Sequence, residues 1–300
     1  MSEVFTYDTQ RVNSLVNPLE RLYPATNDEQ YWPKVGDLFA KEFSDKSKLD
    51  TFKSNWILEK SGLILNALTH QEEAYIKDAL NLIIKYIPVE KHIDCFTLFQ
   101  EPYLGHTTSS FNNNTISFTV EINNVKHDIK NIGFIRSMRL RDTLVFEITT
   151  GQRIKDYDVI VEIGGGYGEY ARLIRDFGFD GEYYGVDQPT MNEISQFYNE
   201  SNVNNKYLTD VIDLPDFGDK KVLVISTRAI GELPVLYREE LIAAVPKCDW
   251  LVSFAGIYNG IDNLNYFCND FGLRTGKRNY VFHTPFHQTN GGSFSYFVTD

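Results

Sequence analysis

The stretch that decides the fold is Val161-Glu-Ile-Gly-Gly-Gly-Tyr-Gly-Glu-Tyr-Ala171. It follows a run of mostly β-branched residues, Asp158-Val-Ile-Val-Glu-Ile163, and leads into a segment with helical spacing, residues 171–177. Glycines at this junction allow the backbone to turn sharply and to approach a ligand without a Cβ clash. The sequence therefore predicts a strand, a ligand-binding loop and a helix in succession. The alternative is a tight strand-to-helix turn that binds nothing.

The spacing of the glycines distinguishes between known nucleotide-binding motifs. The dinucleotide fingerprint G-x-G-x-x-G requires a glycine at position 169, where this chain has Glu169, and a carboxylate there disfavours a pyrophosphate. A phosphate loop of the form G-x-x-x-x-G-K-S/T is also absent from the sequence. Asp187 ends the second predicted strand, 21 residues after Gly166. An acidic side chain there suits the recognition of both ribose hydroxyls.

This E-x-G-x-G-x-G pattern resembles the first motif of the class I S-adenosylmethionine-dependent methyltransferases. Three segments narrow the resemblance to sugar O-methyltransferases of bacterial surface-polysaccharide clusters, namely residues 162–171, Tyr183-Tyr-Gly-Val-Asp-Gln-Pro189 and Ser226-Thr-Arg-Ala-Ile-Gly-Glu-Leu-Pro234. The resemblance covers about residues 155–300 and extends more weakly to the approach from Leu104-Gly105 to Arg141. The chain departs from it at Glu169, where a second small residue is common, and at Gln188, where leucine is common.

The resemblance implies S-adenosyl-L-methionine as the cofactor. The glycine loop would hold its methionine part, with Glu162 near the ammonium group, and Tyr167 and Tyr170 would face the cationic sulfonium. Asp210 would accept a hydrogen bond from the adenine amine, unless it is a solvated loop carboxylate. The expected cofactor contacts are Glu162, Gly164, Gly165, Gly166, Tyr167, Gly168, Asp187, Gln188, Asp210, Val211, Ser226 and Thr227.

Three residues are candidates for the general base that takes a proton from an attacking hydroxyl: Glu232, His283 and His287. Glu232 follows the fourth predicted strand, at the sheet edge where open α/β folds bind ligands, or else it stabilises the start of the next helix. Histidine titrates near neutral pH, although most histidines are simply packed or solvated. The spacing of His283 and His287 suits a metal only on a helix, which Pro285 disfavours, so no metal is predicted.

From about Tyr157, short strands rich in Val, Ile and Leu alternate with helical stretches, as in a parallel sheet covered by helices. Residues 279–283 and 293–298 have no helix between them and are expected to pair antiparallel. Before Tyr157, the spacing predicts helices over residues 56–68, 76–87 and 135–146 and a β-hairpin that turns at Asn123-Asn124. The predicted fold class is α/β, a Rossmann-like class I methyltransferase sheet that is mostly parallel with an antiparallel C-terminal strand pair. Residues 1–150 would form a mainly helical cap over the acceptor, and residues 151–300 the cofactor-binding domain.

Composition and charge disfavour several other classes. The 300 residues are 42% hydrophobic and 23% charged, which is ordinary for a globular protein, and the net charge of −12 disfavours nucleic acid as a partner. There is no apolar run long enough to span a membrane and no recognisable secretory signal, so a cytoplasmic protein is expected. A local basic cluster is interpreted either as a solvated face or as a clamp for an acceptor phosphate; it consists of Lys126, Lys130, Arg136, Arg139 and Arg141.

Together these patterns predict methyl transfer from S-adenosylmethionine to a hydroxyl of a sugar or nucleotide sugar, in surface-polysaccharide biosynthesis. The partner would be a small-molecule acceptor, phosphorylated acceptors included. One alternative is a methyltransferase for a phosphate or an amine. The other is a cofactor-binding module without catalysis, which the unusual Glu169 would favour. The motifs select neither the sugar, nor the hydroxyl, nor the oligomeric state.

Overall fold

The computed structural model describes residues 72–101, 117–199, 202–258, 261–283 and 294–299. Before residue 151 it contains helix α1 (Glu72–Tyr86), helix α2 (His92–Thr97), strands β1 (Phe118–Ile122) and β2 (Val125–Ile129), and helix α3 (Phe134–Thr150). Strands β1 and β2 form a hairpin that turns at Asn123 and Asn124, whose φ angles are 53° and 63°. Positive φ at both positions is what a type I′ turn requires. The predicted hairpin and the helices at 76–87 and 135–146 are confirmed, whereas the run at 56–68 lies outside the described residues.

After residue 151, strands and helices alternate. The elements are β3 (Val159–Ile163), α4 (Glu169–Asp176), β4 (Glu182–Val186), α5 (Pro189–Tyr198), β5 (Asn205–Leu208), β6 (Val222–Thr227), α6 (Ala229–Glu232), α7 (Val235–Ala244), β7 (Asp249–Ala255), β8 (Ile257–Tyr258), β9 (Ile261–Asp262), α8 (Asn263–Asn265), a π-helical turn (Tyr266–Phe271), α9 (Gly272–Thr275), β10 (Asn279–His283) and β11 (Phe294–Thr299). None of the helices in the described ranges combines the length and the apolar character that crossing a membrane needs.

Seven strands form one sheet in the order β10-β11-β7-β6-β3-β4-β5. Strand β3 pairs parallel with β4 and β6, and β11 pairs antiparallel with β7 and β10. The predicted fold class is thereby confirmed. The chain runs outward from β3 to β5 on one side and from β6 to β7 on the other, so the direction of winding reverses between β3 and β6. Open α/β sheets bind ligands outside the carboxyl ends of the strands at such a reversal.

Both faces of the sheet are covered by apolar side chains, because successive residues of a strand point to opposite faces. In β3, Ile160 packs in one apolar cluster, while Val159 and Val161 pack in the other. All of β3 is buried, which explains its almost continuous apolar sequence. Leu144 of α3 belongs to the same cluster as Ile160, so α3 is part of the layer that covers this face of the sheet. The division of the chain at residue 150 stays a prediction.

Arg136 connects α3 to α4 through buried ion pairs. Its side chain is 2% exposed, and its Nη1 donates to Glu169 Oε1 at 2.7 Å. Its Nη2 pairs with Asp176 at the other end of α4, and its Nε donates to the backbone carbonyl of Leu98 at 2.6 Å. The guanidinium therefore has a partner on each of its nitrogens, which is what burying a cation requires.

The interpretation of the basic cluster as a solvated face is wrong for its three arginines. Lys126 and Lys130 are exposed, whereas Arg136, Arg139 and Arg141 are buried. Arg136 and Arg141 are paired with protein carboxylates, Glu169 and Asp176 for Arg136 and Asp142 for Arg141. The clamp for an acceptor phosphate stays a prediction.

Replacing Arg136 by methionine should lower the free energy of unfolding by about 3–5 kcal/mol, because it leaves the buried Glu169 without its cation. Urea denaturation measures this loss. Lys126→Met is the matched control, since Lys126 is exposed and its replacement should change stability by less than about 0.5 kcal/mol. An equal effect of the two substitutions would contradict a buried, paired Arg136.

Candidate functional site

The candidate site is built on the glycine loop between β3 and α4, at the carboxyl edge of the sheet. Gly164, Gly166 and Gly168 have φ angles of 71°, 60° and 90°. These angles lie in the left-handed region, which residues with a Cβ rarely adopt. The alternate left-handed residues turn the backbone from the end of the strand at Ile163 to the start of the helix at Glu169.

The three glycines differ in the space around them, and this difference indicates different roles. A Cβ on Gly164 would lie 2.1 Å from the Cβ of Ala229, and one on Gly168 would lie 2.2 Å from the Ser195 hydroxyl. These two glycines permit close packing of the loop against α6 and α5. A Cβ on Gly166 would meet nothing within 4 Å. Gly166 therefore presents bare backbone to open space, as the approach of a ligand requires.

Asp187, at the end of β4, is hydrogen-bonded to this loop. Its Oδ2 accepts from the Gly166 backbone N–H at 2.8 Å, and its Oδ1 accepts from the Gln188 N–H at 2.7 Å. Burial raises the pKa of Asp187 to about 6, against the lowering effect of those two hydrogen bonds. A carboxylate oxygen has two lone pairs, so each oxygen can still accept from a hydroxyl of a ligand. The structure thus brings together two segments that the sequence had predicted to share one site.

Glu162 lies beneath the loop. It is 1% exposed, and a Cβ on Gly165 would be 3.1 Å from its Oε2. The hydroxyl of Tyr183 on β4 donates to Oε2, whereas Oε1 has no hydrogen-bond partner among the described residues. Burial raises the pKa of Glu162, although Arg139 and the Tyr183 hydrogen bond act in the opposite direction. An unsatisfied buried carboxylate oxygen is costly and is therefore available to a ligand cation.

Arg139 on α3 is a site residue that the sequence reasoning missed. Its Nη2 is 3.9 Å from Glu162 Oε1, and its guanidinium carbon is 5.4 Å from the centre of the Tyr170 ring. Sequence analysis placed it in the basic cluster, interpreted as a solvated face or an acceptor clamp, and did not predict that it lies beside Glu162. Its position three residues after Arg136, on a helix with apolar neighbours, was the one signal that both arginines share a buried face.

Glu169 is the residue at which the chain departs from the resembled motif. Its side chain is buried and hydrogen-bonded to residues of neighbouring helices. Its carboxylate is bound by Arg136 and accepts from the hydroxyl of Tyr198, whose oxygen is also 2.8 Å from Glu101 Oε1. Burial and the neighbouring Glu169 raise the pKa of Glu101 to about 9. Burial opposes ionisation of Glu169 too, but Arg136 holds the pKa of Glu169 below its usual value. Glu169 is therefore the anion of a buried network between helices.

The aromatic rings of the loop are packed among protein side chains. Tyr167 is 4% exposed and packs edge-on against Tyr198, with 5.1 Å between the ring centres. The hydroxyl of Tyr170 is 2.9 Å from that of Thr143. Whether either ring faces a sulfonium stays a prediction.

The residues expected at the adenine end also stabilise the local backbone. Asp210 accepts from the Ile212 backbone N–H at 3.2 Å, so it caps the short helical turn over Val211–Asp213. The Ser226 hydroxyl accepts from the Ile230 N–H at 2.9 Å and donates to the Ile163 carbonyl at 3.2 Å. The remaining expected contacts lie on the same edge, with Val211 and Thr227 buried and Gln188 half-buried.

The sheet edge after β6 contains the candidate base Glu232 and a strained residue, Arg228. Arg228 has φ 73° and ψ −42°, and its backbone N–H donates to the Ser253 carbonyl at 2.7 Å. Positive φ in an arginine costs on the order of 1–3 kcal/mol, and such strain concentrates at functional sites. No sequence pattern predicted this strain, because arginine has no preference for a positive φ. Glu232 ends α6 and is half-buried.

The candidate histidines can be placed only in part. His283 is the last residue of β10, where its backbone pairs with Ser295, and His287 lies outside the described residues. Within the described ranges, no three His, Cys, Asp or Glu side chains are grouped as a metal site requires.

No protein-family model matches the chain, and no curated protein matches it. Several solved structures are similar over about half of its length. Precorrin-6y C5,15-methyltransferase from Geobacter metallireducens GS-15 is 15% identical, with 54% of this chain and 87% of that chain covered and a TM-score of 0.40. Human N-acetylserotonin methyltransferase, solved in complex with SAM, is 12% identical, with 56% and 58% covered and a TM-score of 0.34. An rRNA methylase from Escherichia coli is 14% identical, with 55% and 70% covered and a TM-score of 0.32. Likeness at this level assigns neither an activity nor an acceptor to this chain.

Proposed function

We propose that this protein is a class I methyltransferase that uses S-adenosyl-L-methionine. The observation that carries the proposal is the bare backbone of Gly166, which faces open space while its N–H is bound by Asp187. A nucleoside with vicinal hydroxyls fits this arrangement, because the loop admits close approach and the carboxylate has free lone pairs. The site lies at the reversal of the sheet, where ligands of such folds bind.

The proposed cofactor lies along the carboxyl ends of the strands, from β3 past β4 to β5. Glu162 receives the ammonium group on its unsatisfied Oε1, and Asp187 receives the ribose hydroxyls. Asp210 and Val211 flank the adenine, and Gln188 lies between ribose and base. The cofactor supplies an activated methyl group on its sulfonium. The chain itself has to bind, orient and desolvate the partners, which is where most of the rate enhancement of such a transfer arises.

The proposed acceptor is a hydroxyl of a sugar or nucleotide sugar, as the sequence resemblance implies. Glu232 is the proposed general base, since it is half-buried on the edge after β6, next to the strained backbone at Arg228. His283 and His287 are the next candidates. A phosphate or amine acceptor is the alternative. Arg136 and Arg141 do not support an anionic acceptor, because each is already paired with buried or nearby carboxylates of the protein.

Replacing Gly166 by valine should abolish binding of S-adenosylmethionine and S-adenosylhomocysteine, because the side chain would fill the space through which the ligand approaches. Isothermal titration calorimetry measures the affinity. Gly218→Val is the matched control, since Gly218 has φ 59° and an equally empty surrounding but lies on an exposed loop before β6. The control carries the same backbone strain and should bind like the parent. Full affinity of Gly166→Val, or no binding by the parent protein, would contradict the proposed function.

Affinity for S-adenosylhomocysteine should fall as the pH is lowered through about 6, the raised pKa of Asp187. An ionised carboxylate accepts hydroxyl hydrogen bonds more strongly than a protonated one, so binding is strongest above that pKa and weakens below it. Calorimetry from about pH 5 to 8 measures the slope. Asp187→Asn should bind more weakly by about 1–3 kcal/mol at the upper end and show no slope. A slope that persists in this variant would assign the titration to another group.

Glu232→Gln should lower kcat by roughly 10²- to 10⁴-fold on a hydroxyl acceptor, as the loss of a general base does, and leave cofactor affinity unchanged. A panel of sugars, nucleotide sugars, phosphates and amines first identifies the acceptor by methyl transfer. Glu240→Gln, on the exposed side of α7, is the control. Normal turnover by Glu232→Gln would move the role of base to His283 or His287, and transfer to amines or phosphates alone would favour the alternative acceptor.

A further inference from the structure

Arg139 is the least satisfied buried cation near the glycine loop. Its side chain is 9% exposed, and neither Nε nor Nη1 has a hydrogen-bond partner among the described residues. A guanidinium has five N–H donors, and leaving them unmet in a buried place is costly. Arg136, three residues earlier on the same helix, has partners on all of its nitrogens. The unmet donors are therefore particular to Arg139 and are not a general feature of α3.

The position of Arg139 is at the floor of the candidate site. Its charge lowers the pKa of both Glu162 and Asp187, so the guanidinium lies near the carboxylates that border the loop. It acts in the same direction on the buried phenols of Tyr167 and Tyr183. In the structure Arg139 lies beside Glu162 of β3 and the Tyr170 ring of α4, and Glu162 Oε1 likewise has no hydrogen-bond partner among the described residues.

The two unsatisfied groups face each other without closing into a hydrogen-bonded ion pair. Arg139 Nη2 and Glu162 Oε1 are 3.9 Å apart, whereas a charge-assisted hydrogen bond is about 2.7–2.9 Å long. A ligand with one carboxylate and one ammonium group would satisfy both residues at once and add no net charge to the buried site. The amino-acid part of S-adenosylmethionine has this chemistry.

We infer that Arg139 binds the carboxylate of the cofactor's amino-acid part, while Glu162 binds its ammonium group. This inference rests on the proposed function and adds to it a residue from α3, outside the glycine loop and the strands that carry the expected cofactor contacts. Arg139 can donate two parallel hydrogen bonds to a carboxylate, a geometry that lysine cannot reproduce. The cofactor site is then completed by the helix that precedes β3.

The test separates the carboxylate from the rest of the ligand. Calorimetry compares S-adenosylhomocysteine with its decarboxylated counterpart, 5′-(3-aminopropylthio)-5′-deoxyadenosine, on the full-length parent chain, Arg139→Gln, Arg139→Lys and the control Arg153→Gln. Arg153 is exposed and lies before β3, at the opposite edge of the sheet. Thermal unfolding of each variant checks that it is folded.

The parent and Arg153→Gln should bind S-adenosylhomocysteine roughly 10- to 100-fold more tightly than the decarboxylated ligand. Arg139→Gln should lose that preference by weakening only the intact ligand, and Arg139→Lys should keep a part of it. If Arg139→Gln does not fold, the partial preference of Arg139→Lys is the deciding measurement. Equal weakening of both ligands, or no preference in the parent, would overturn the inference and make Arg139 a structural counter-ion of Glu162. Failure of the parent to bind either ligand would instead refute the proposed function, and this inference with it.

Discussion

The hydrogen bond between the Gly166 N–H and the Asp187 carboxylate is the constraint on which the site depends. It joins the loop after β3 to the end of β4 and fixes their separation at the reversal of the sheet. The bond is possible because Gly166 adopts a left-handed conformation, which orients its N–H toward the neighbouring strand. The same bond, with that from the Gln188 N–H, orients the carboxylate of the half-buried Asp187.

Below this bond, buried charges couple α3 to the sheet. The anions, Glu162 and Glu169, belong to β3 and α4, and the cations, Arg136 and Arg139, belong to α3. Burying unpaired ions costs several kcal/mol each, so α3 has few alternative positions that satisfy all four groups. The two arginine–glutamate pairs differ in how many of their hydrogen-bonding atoms have partners. Arg136 and Glu169 are closed into a hydrogen-bonded network that serves the fold, while Arg139 Nε and Nη1 and Glu162 Oε1 are buried without a hydrogen-bond partner among the described residues.

The sheet edge after β6 contains a strained backbone residue, Arg228, and a half-buried acid, Glu232. Arg228 is held at positive φ by the hydrogen bond of its N–H to Ser253, immediately after β6. Ser226 fastens α6 to the end of β3 through hydrogen bonds to Ile230 and Ile163. These contacts fix the start of α6 and so the position of Glu232 at its end. A methyl donor that is already activated needs mainly such positioning and a group that takes up a proton.

The sequence by itself determined the alternation of strands and helices, the parallel core of the sheet and the glycine loop with Asp187. These features follow from local signals, because buried parallel strands need continuous apolar runs and left-handed turns need glycine. It did not determine that β11 would insert between β7 and β10, nor that the arginines of α3 would be buried. The local sequence of α3 does not distinguish arginines on a solvated face from buried ones. Whether an arginine is buried depends on partners distant in the sequence, such as Glu169 for Arg136. Only the tertiary structure decided which of those charges have hydrogen-bond partners within the described residues and which do not, because the partners come from segments far apart in the sequence.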